Sequence, residues 1–192
     1  KHPELWMRYL NHVRQHLLQK DYALPDLAAT LSWLNQWQPA DKKLPPRLKL
    51  QWQAARLACA NHFGATDLAQ IEDCLQLGQQ LIDEVAPEVC EAHLRIAVAA
   101  TNAFEFDTAS HILNAWQNQE AAVCGLVNKA KVLSSLGQHR AFVGDYAQAL
   151  CLFDESLALF ARLTDTQESR KESEQTNIYR LTVLMDDTNT TA

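Results

Sequence analysis

The 192-residue chain contains few of the residues that build β-sheets and tight turns. It has only nine valines and five isoleucines, whereas leucine (28) and alanine (27) together supply 55 residues. β-Branched residues favour strands, while leucine and alanine favour helices. Glycine, which tight turns between strands use, occurs only five times. This composition argues against an all-β or α/β fold and predicts an almost entirely helical protein.

Long apolar runs and an excess of positive charge are also missing. No run approaches the roughly 18 residues that cross a membrane, and no signal peptide opens the chain. The net charge is −6, with nine Lys/Arg against four Asp/Glu in residues 1–60, two against ten in 61–130 and six against nine in 131–192. We therefore expect no membrane and no nucleic-acid partner. The basic N-terminal part is either a solvated surface or a site for an acidic partner.

A disulfide framework is not indicated either. The five cysteines are odd in number, scattered and mostly set in apolar stretches, which predicts small buried side chains in a reducing compartment. No pair has the Cys-x-x-Cys spacing of a zinc or thioredoxin-type site. The chain begins without methionine and ends in a polar tail, which favours a piece of a larger cytoplasmic protein. The cysteines are Cys59, Cys74, Cys90, Cys124 and Cys151.

Apolar residues recur at three-and-four spacing along most of the chain, which is typical of amphipathic helices. Short connections force neighbouring helices to be antiparallel, and four repetitions of such a hairpin predict a solenoid. A proline-rich loop over 38–46 follows the first hairpin. The helices are predicted over about 3–18, 24–37, 47–63, 68–82, 88–104, 108–118, 121–143, 146–163 and 166–185.

The fourth hairpin carries the most specific pattern. A Leu-Gly pair lies in its first helix, a Gly-Asp-Tyr turn follows, and an alanine and an aromatic residue lie on its second helix. The pattern resembles the tetratricopeptide repeat over about residues 129–163. Successive aspartates at the predicted turns are 46, 40 and 38 residues apart. These spacings exceed the family's period of about 34, as they do in divergent bacterial members. The residues that carry the resemblance are Gly137, Gly144, Asp145, Tyr146, Ala149 and Phe153.

Steric reasons explain why these residue types suit such a hairpin. A small Gly137 lets a neighbouring helix approach closely, and a small Ala149 leaves room for helix packing. Gly144 tolerates the backbone of the turn, while Asp145 can cap the helix that follows, as Asp67 can cap the helix predicted from residue 68. The resemblance therefore implies a right-handed α-solenoid of about four hairpins over residues 1–165.

The resemblance also implies a function. In the family, the first helices of the hairpins line a groove that holds a partner's peptide, and the matching positions here include Arg95, Asn102, Lys131 and Gln138. Some members clamp a terminal carboxylate with lysine and asparagine. Lys131 fits that role, but Ser134 and Gln138 stand where asparagine would be needed, so no carboxylate clamp is predicted.

Groupings that would indicate catalysis or metal binding are weak. His12 and His16 have a zinc-compatible spacing, but Val13 stands where a catalytic motif needs glutamate, and no third ligand is nearby. No glycine-rich phosphate loop is present. We therefore predict no enzyme, no metal and no cofactor. The five tryptophans either fill the core between hairpins or form an exposed pocket for a peptide.

The C-terminal segment 166–192 is open to two interpretations. Its first half is polar and only the stretch from Ile178 to Met185 is apolar, so it either caps the solenoid or connects to an output domain. We predict a non-catalytic protein- or peptide-binding module, the scaffold or sensor part of a larger bacterial regulatory protein. The alternative is a small-ligand sensor that controls an attached domain. An exposed solenoid end also predicts pairing of two copies.

Overall fold

A computed structural model describes Leu5 and residues 24–36, 44–81 and 86–190. These residues form helices and connecting turns without any strand, which confirms the all-α prediction for this part of the chain. The predicted first helix, the His12/His16 pair and most of the proline-rich loop lie outside the described residues. The helices are α1 (Leu24–Gln36), α2 (Pro46–His62), α3 (Leu68–Gln80), α4 (Pro87–Asn102), α5 (Phe106–Gln117), α6 (Ala121–Cys124), α7 (Leu126–Phe142), α8 (Tyr146–Phe160) and α9 (Gln167–Thr190).

The chain divides into two compact units, residues 1–104 and 105–192. In the first unit, α2 packs against α1, α3 and α4, and α3 also contacts α4. One cluster of its core is built around Trp52, together with Leu34, Leu48 and Cys59. In the second unit, α7 packs against α5, α6, α8 and α9, and α9 also lies along α8.

Capped turns begin α3 and α8, as the sequence predicts. Asp67 accepts a hydrogen bond from the Ala69 amide at 3.1 Å, and Asp145 accepts one from the Gln148 amide at 3.2 Å. The residue before the second of these turns is Gly144, whose φ of +83° is the left-handed backbone that glycine adopts without strain. These contacts agree with the roles that the motif assigns to Gly144 and Asp145.

The turn between α4 and α5 is built differently. Phe104 has a φ of +64°, the same left-handed region that Gly64 uses in the turn before α3. A bulky residue there carries backbone strain of about 1 kcal/mol or more. Its side chain is 80% exposed, so burial does not compensate.

The predicted helix over 121–143 is interrupted, and this corrects the sequence reading. Gly125 has a φ of +85° and separates the short α6 from α7. Just after this interruption, the Lys129 ammonium donates hydrogen bonds to the backbone carbonyls of Gln117 and Gln119. These bonds cap the C-terminal end of α5. A cation at a helix C-terminus is favourable because it meets unpaired carbonyls and the negative end of the helix dipole.

Two buried glycines mark close approaches between helices. A Cβ added at Gly137 would lie 2.6 Å from Cε1 of Phe153 on α8, so the predicted close contact at Gly137 is present. A Cβ added at Gly78 would lie 2.3 Å from Nε2 of His93 on α4, a contact that the sequence did not reveal. Ala149 is fully buried beside Phe153 in the core of the second unit.

Candidate functional site

The face of α7 that the repeat pattern assigns to the groove is covered by α9. Lys131 Nζ lies 2.7 Å from a carboxylate oxygen of Glu168 and 3.8 Å from one of Glu172. The Lys131 side chain is only 12% exposed. Its charge therefore holds the C-terminal helix in place.

One turn further along, the contact between the two helices remains polar. The Thr176 hydroxyl is hydrogen-bonded to the Ser134 hydroxyl at 2.9 Å, and both residues are buried. We call this set of pairs, Lys131 and Ser134 on α7 with Glu168, Glu172 and Thr176 on α9, the polar seam. It explains how the polar half of α9 packs, since each buried polar group has a partner.

A half-open pocket of about 180 Å³ lies beside the seam. It is bounded by the last turns of α7, the start of α8 and the later part of α9. Its walls are mostly apolar, and Asp186 is the one charged residue among those that line it. The aromatic lining consists of Phe142, Tyr146, Phe153 and Tyr179; Gln138, Ala141, Thr182 and Val183 add the rest.

The rings of the pocket differ in exposure. Phe153 is fully buried and stacks on Tyr179, with 6.5 Å between ring centroids. Phe142 is 64% exposed at the rim and lies 5.8 Å from the ring of Phe106. Burial raises the pKa of Tyr179, and the nearby Glu172 charge acts in the same direction, so the phenol is neutral at neutral pH.

The other two predicted groove residues lie in the first unit, on α4. Arg95 forms an ion pair of 2.7 Å with Glu91, and both side chains are largely buried. Asn102 is exposed and donates a hydrogen bond to the Asn61 side chain at 3.3 Å. Lys131 and Gln138 share one face of α7, where Lys131 joins the seam and Gln138 lines the pocket.

The described part of the chain lacks the features of a metal centre or of a membrane-spanning helix, and two of its buried thiols are unreactive. Within the described ranges, no group of three or more His, Cys, Asp or Glu is placed to hold a metal ion. None of the described helices combines the length and apolarity that a membrane crossing requires. The thiols of Cys59 and Cys74 are poor nucleophiles, because burial raises the pKa of Cys59 to about 11 and that of Cys74 to about 12.

Sequence reasoning missed the side of the pocket that α9 forms. Tyr179, Thr182, Val183 and Asp186 lie in the second half of the C-terminal helix, whose apolar residues gave no sign of which helix they would meet.

Comparisons of the chain with models of protein families, with curated protein sequences and with solved structures find no match.

The polar seam predicts a specific stability effect. We expect Lys131→Met to lower the free energy of unfolding by about 2 kcal/mol, because it leaves two neighbouring carboxylates without their shared cation. Denaturant unfolding followed by circular dichroism measures this. Arg162→Met removes an exposed cation from the same unit and should change stability by less than about 0.5 kcal/mol. An equal loss in both variants would contradict the role of the seam.

Proposed function

We propose that the chain is a non-catalytic module that binds a protein or peptide partner, with helical hairpins arranged as a right-handed α-solenoid of tetratricopeptide type. The capped turn at Asp145 and the close contact between Gly137 and Phe153 support this arrangement. We further propose that it works in the cytoplasm as the scaffold or sensor part of a larger bacterial regulatory protein.

One observation carries the binding proposal: a large aromatic side chain, Phe142, stands exposed at the rim of a half-open aromatic pocket. Binding energy in protein interfaces concentrates on a few side chains that fill such pockets. In this proposal a partner peptide follows the edge between α7 and α9 and inserts one side chain beside Phe142. Gln138 is one of the predicted groove residues and lines the pocket, whereas Lys131 is covered by α9 and supports the site through the polar seam.

The pocket itself favours this proposal over a small-ligand sensor. A sensor calls for an enclosed cavity, and small-molecule sites are typically about 300 Å³ or larger. The pocket here is half-open and measures about 180 Å³, which suits one side chain of a longer partner.

Pairing of two copies remains a prediction with one supporting feature. Ile178, Leu181 and Met185 recur at helical spacing on α9 and are all exposed. An exposed apolar stripe of this kind is a surface on which helices can associate.

Selection of displayed peptides tests the binding proposal. The full chain is immobilised and challenged with random short peptides, and enriched peptides are then measured against two variants. We expect Phe142→Ser to weaken their binding at least tenfold, which corresponds to about 1.4 kcal/mol of lost contact.

Val143→Ser is the matched control, because Val143 is the next residue, is 53% exposed and does not line the pocket. We expect it to bind the same peptides as the parent chain. If no peptide is enriched, or if the two variants lose binding equally, the proposed function is wrong.

A further inference from the structure

The walls of the pocket have a distinct chemistry. Three of its aromatic side chains, Phe142, Tyr146 and Tyr179, are at least partly exposed, and the faces of such rings carry negative partial charge. Asp186 contributes a carboxylate, and no lysine, arginine or histidine is among the residues that line the cavity. Aromatic faces combined with a carboxylate attract a cation that has an apolar body.

The charge of the second unit acts in the same direction. Residues 105–192 contain seven Lys/Arg and twelve Asp/Glu, a net charge of −5. Two of the cationic side chains on α9 form ion pairs: Arg180 lies 2.6 Å from Asp154, and Arg170 lies 2.9 Å from Asp165. The unit therefore attracts basic ligands over long range and repels acidic ones.

We propose that the pocket receives one lysine or arginine side chain of the partner peptide. This inference rests on the proposed function and names the chemistry of the partner. The cationic group lies over the exposed rings near Asp186, while its methylene stem packs against Val183 and Ala141 at the apolar wall. Gln138 can accept a hydrogen bond from the same group through its side-chain carbonyl.

Two small probes that differ by the ammonium group test the proposal on the full chain. N-acetyl-lysine methylamide carries the ammonium, and N-acetyl-norleucine methylamide has hydrogen in its place, so its side chain ends at the methyl group that corresponds to the last carbon of lysine. In a titration followed by nuclear magnetic resonance, we expect the lysine probe to shift the signals of Phe142, Tyr179 and Asp186. The norleucine probe should bind at least fivefold more weakly. Added salt should reduce this difference, because it screens the Asp186 charge.

Two variants separate the charge of the pocket from its shape. We expect Asp186→Asn to weaken the lysine probe about fivefold and to leave the norleucine probe unchanged. Glu174→Gln is the control, since it removes an equal charge from an exposed position of the same helix outside the pocket. Phe142→Leu keeps an apolar rim without the ring and should also weaken the lysine probe selectively. Each position is exposed, so the variants are expected to fold.

Several outcomes would overturn the inference. Equal binding of the two probes would make the pocket an apolar anchor site, and tighter binding of choline than of the lysine probe would make it a small-molecule site. If selected peptides keep their affinity when each basic residue is replaced by norleucine, the inference fails and the proposed function stands. If no peptide is selected but the lysine probe binds at the pocket, the proposed function fails and the cation site stands.

Discussion

Replacing Phe153 with alanine is expected to lower the free energy of unfolding of the second unit by about 4 kcal/mol. The Phe153 ring is fully buried, stacks on Tyr179 and fills the space that Gly137 leaves open. Its removal leaves a cavity as well as lost apolar contact, and both terms are destabilising. Denaturant unfolding followed by circular dichroism gives the value. Ile178→Ala, at an exposed position of α9, should change it by less than about 0.5 kcal/mol.

A second substitution tests whether the close approach of Gly137 to Phe153 is the cause. In the parent chain, Gly137→Ala should cost about 1–2 kcal/mol, because the new Cβ would collide with the buried ring. In the Phe153→Ala background the same methyl group enters free space. The better helix propensity of alanine should then stabilise the protein by up to about 1 kcal/mol. A cost of equal size in both backgrounds would show that the ring is not responsible.

Acid is expected to destabilise the first unit through His93. Burial lowers the pKa of His93 to about 4, although a hydrogen bond with the backbone of Gly78 opposes the shift. The unfolded chain binds a proton at this residue near pH 6.5, whereas the folded chain does so only near pH 4. The contribution of neutral His93 to the free energy of unfolding is therefore fully present above about pH 6.5. It is lost as the pH decreases towards 4, by about 3 kcal/mol in total.

The matched variants for this prediction are His93→Gln and His62→Gln. Glutamine at position 93 is polar but cannot gain a proton, so most of the decrease in stability between pH 6.5 and pH 4 should disappear. His62 is an exposed residue of the same unit, and the His62→Gln variant should retain the decrease. Unfolding by denaturant at several pH values gives both results. If the two variants depend on pH equally, His93 is not the source of the effect.

The local features of the fold were predictable because they depend on neighbours along the chain. Leucine and alanine spacing predicted the helices, and Asp67 and Asp145 predicted their own caps. Gly125 was missed because it lies inside a continuous apolar period, where an isolated glycine does not by itself signal an interruption. Its left-handed backbone accompanies a contact between Lys129 and the end of α5, and that contact is not encoded in local spacing.

The candidate site was predictable only in part, for the same physical reason. The register of the repeat predicted that Lys131 and Gln138 share one face of α7, since residues seven apart share a helix face. The polar first half of the C-terminal segment gave no sign of what it packs against, because the partners of its charges and hydroxyls lie more than thirty positions earlier in the chain. The Gly78–His93 contact was missed because neither residue belongs to the recognised pattern.

The distribution of thiols gives the molecule a built-in set of chemical reporters. Cys151 is exposed on α8, while Cys59, Cys74, Cys90 and Cys124 are buried. A thiol reagent at neutral pH therefore labels the native protein at one position, in the unit that carries the pocket, and a fluorophore can be attached there without mutagenesis. Of the four buried cysteines, three lie in the first unit and Cys124 lies in the second. The slower rate at which a reagent labels each of them measures how often its unit opens.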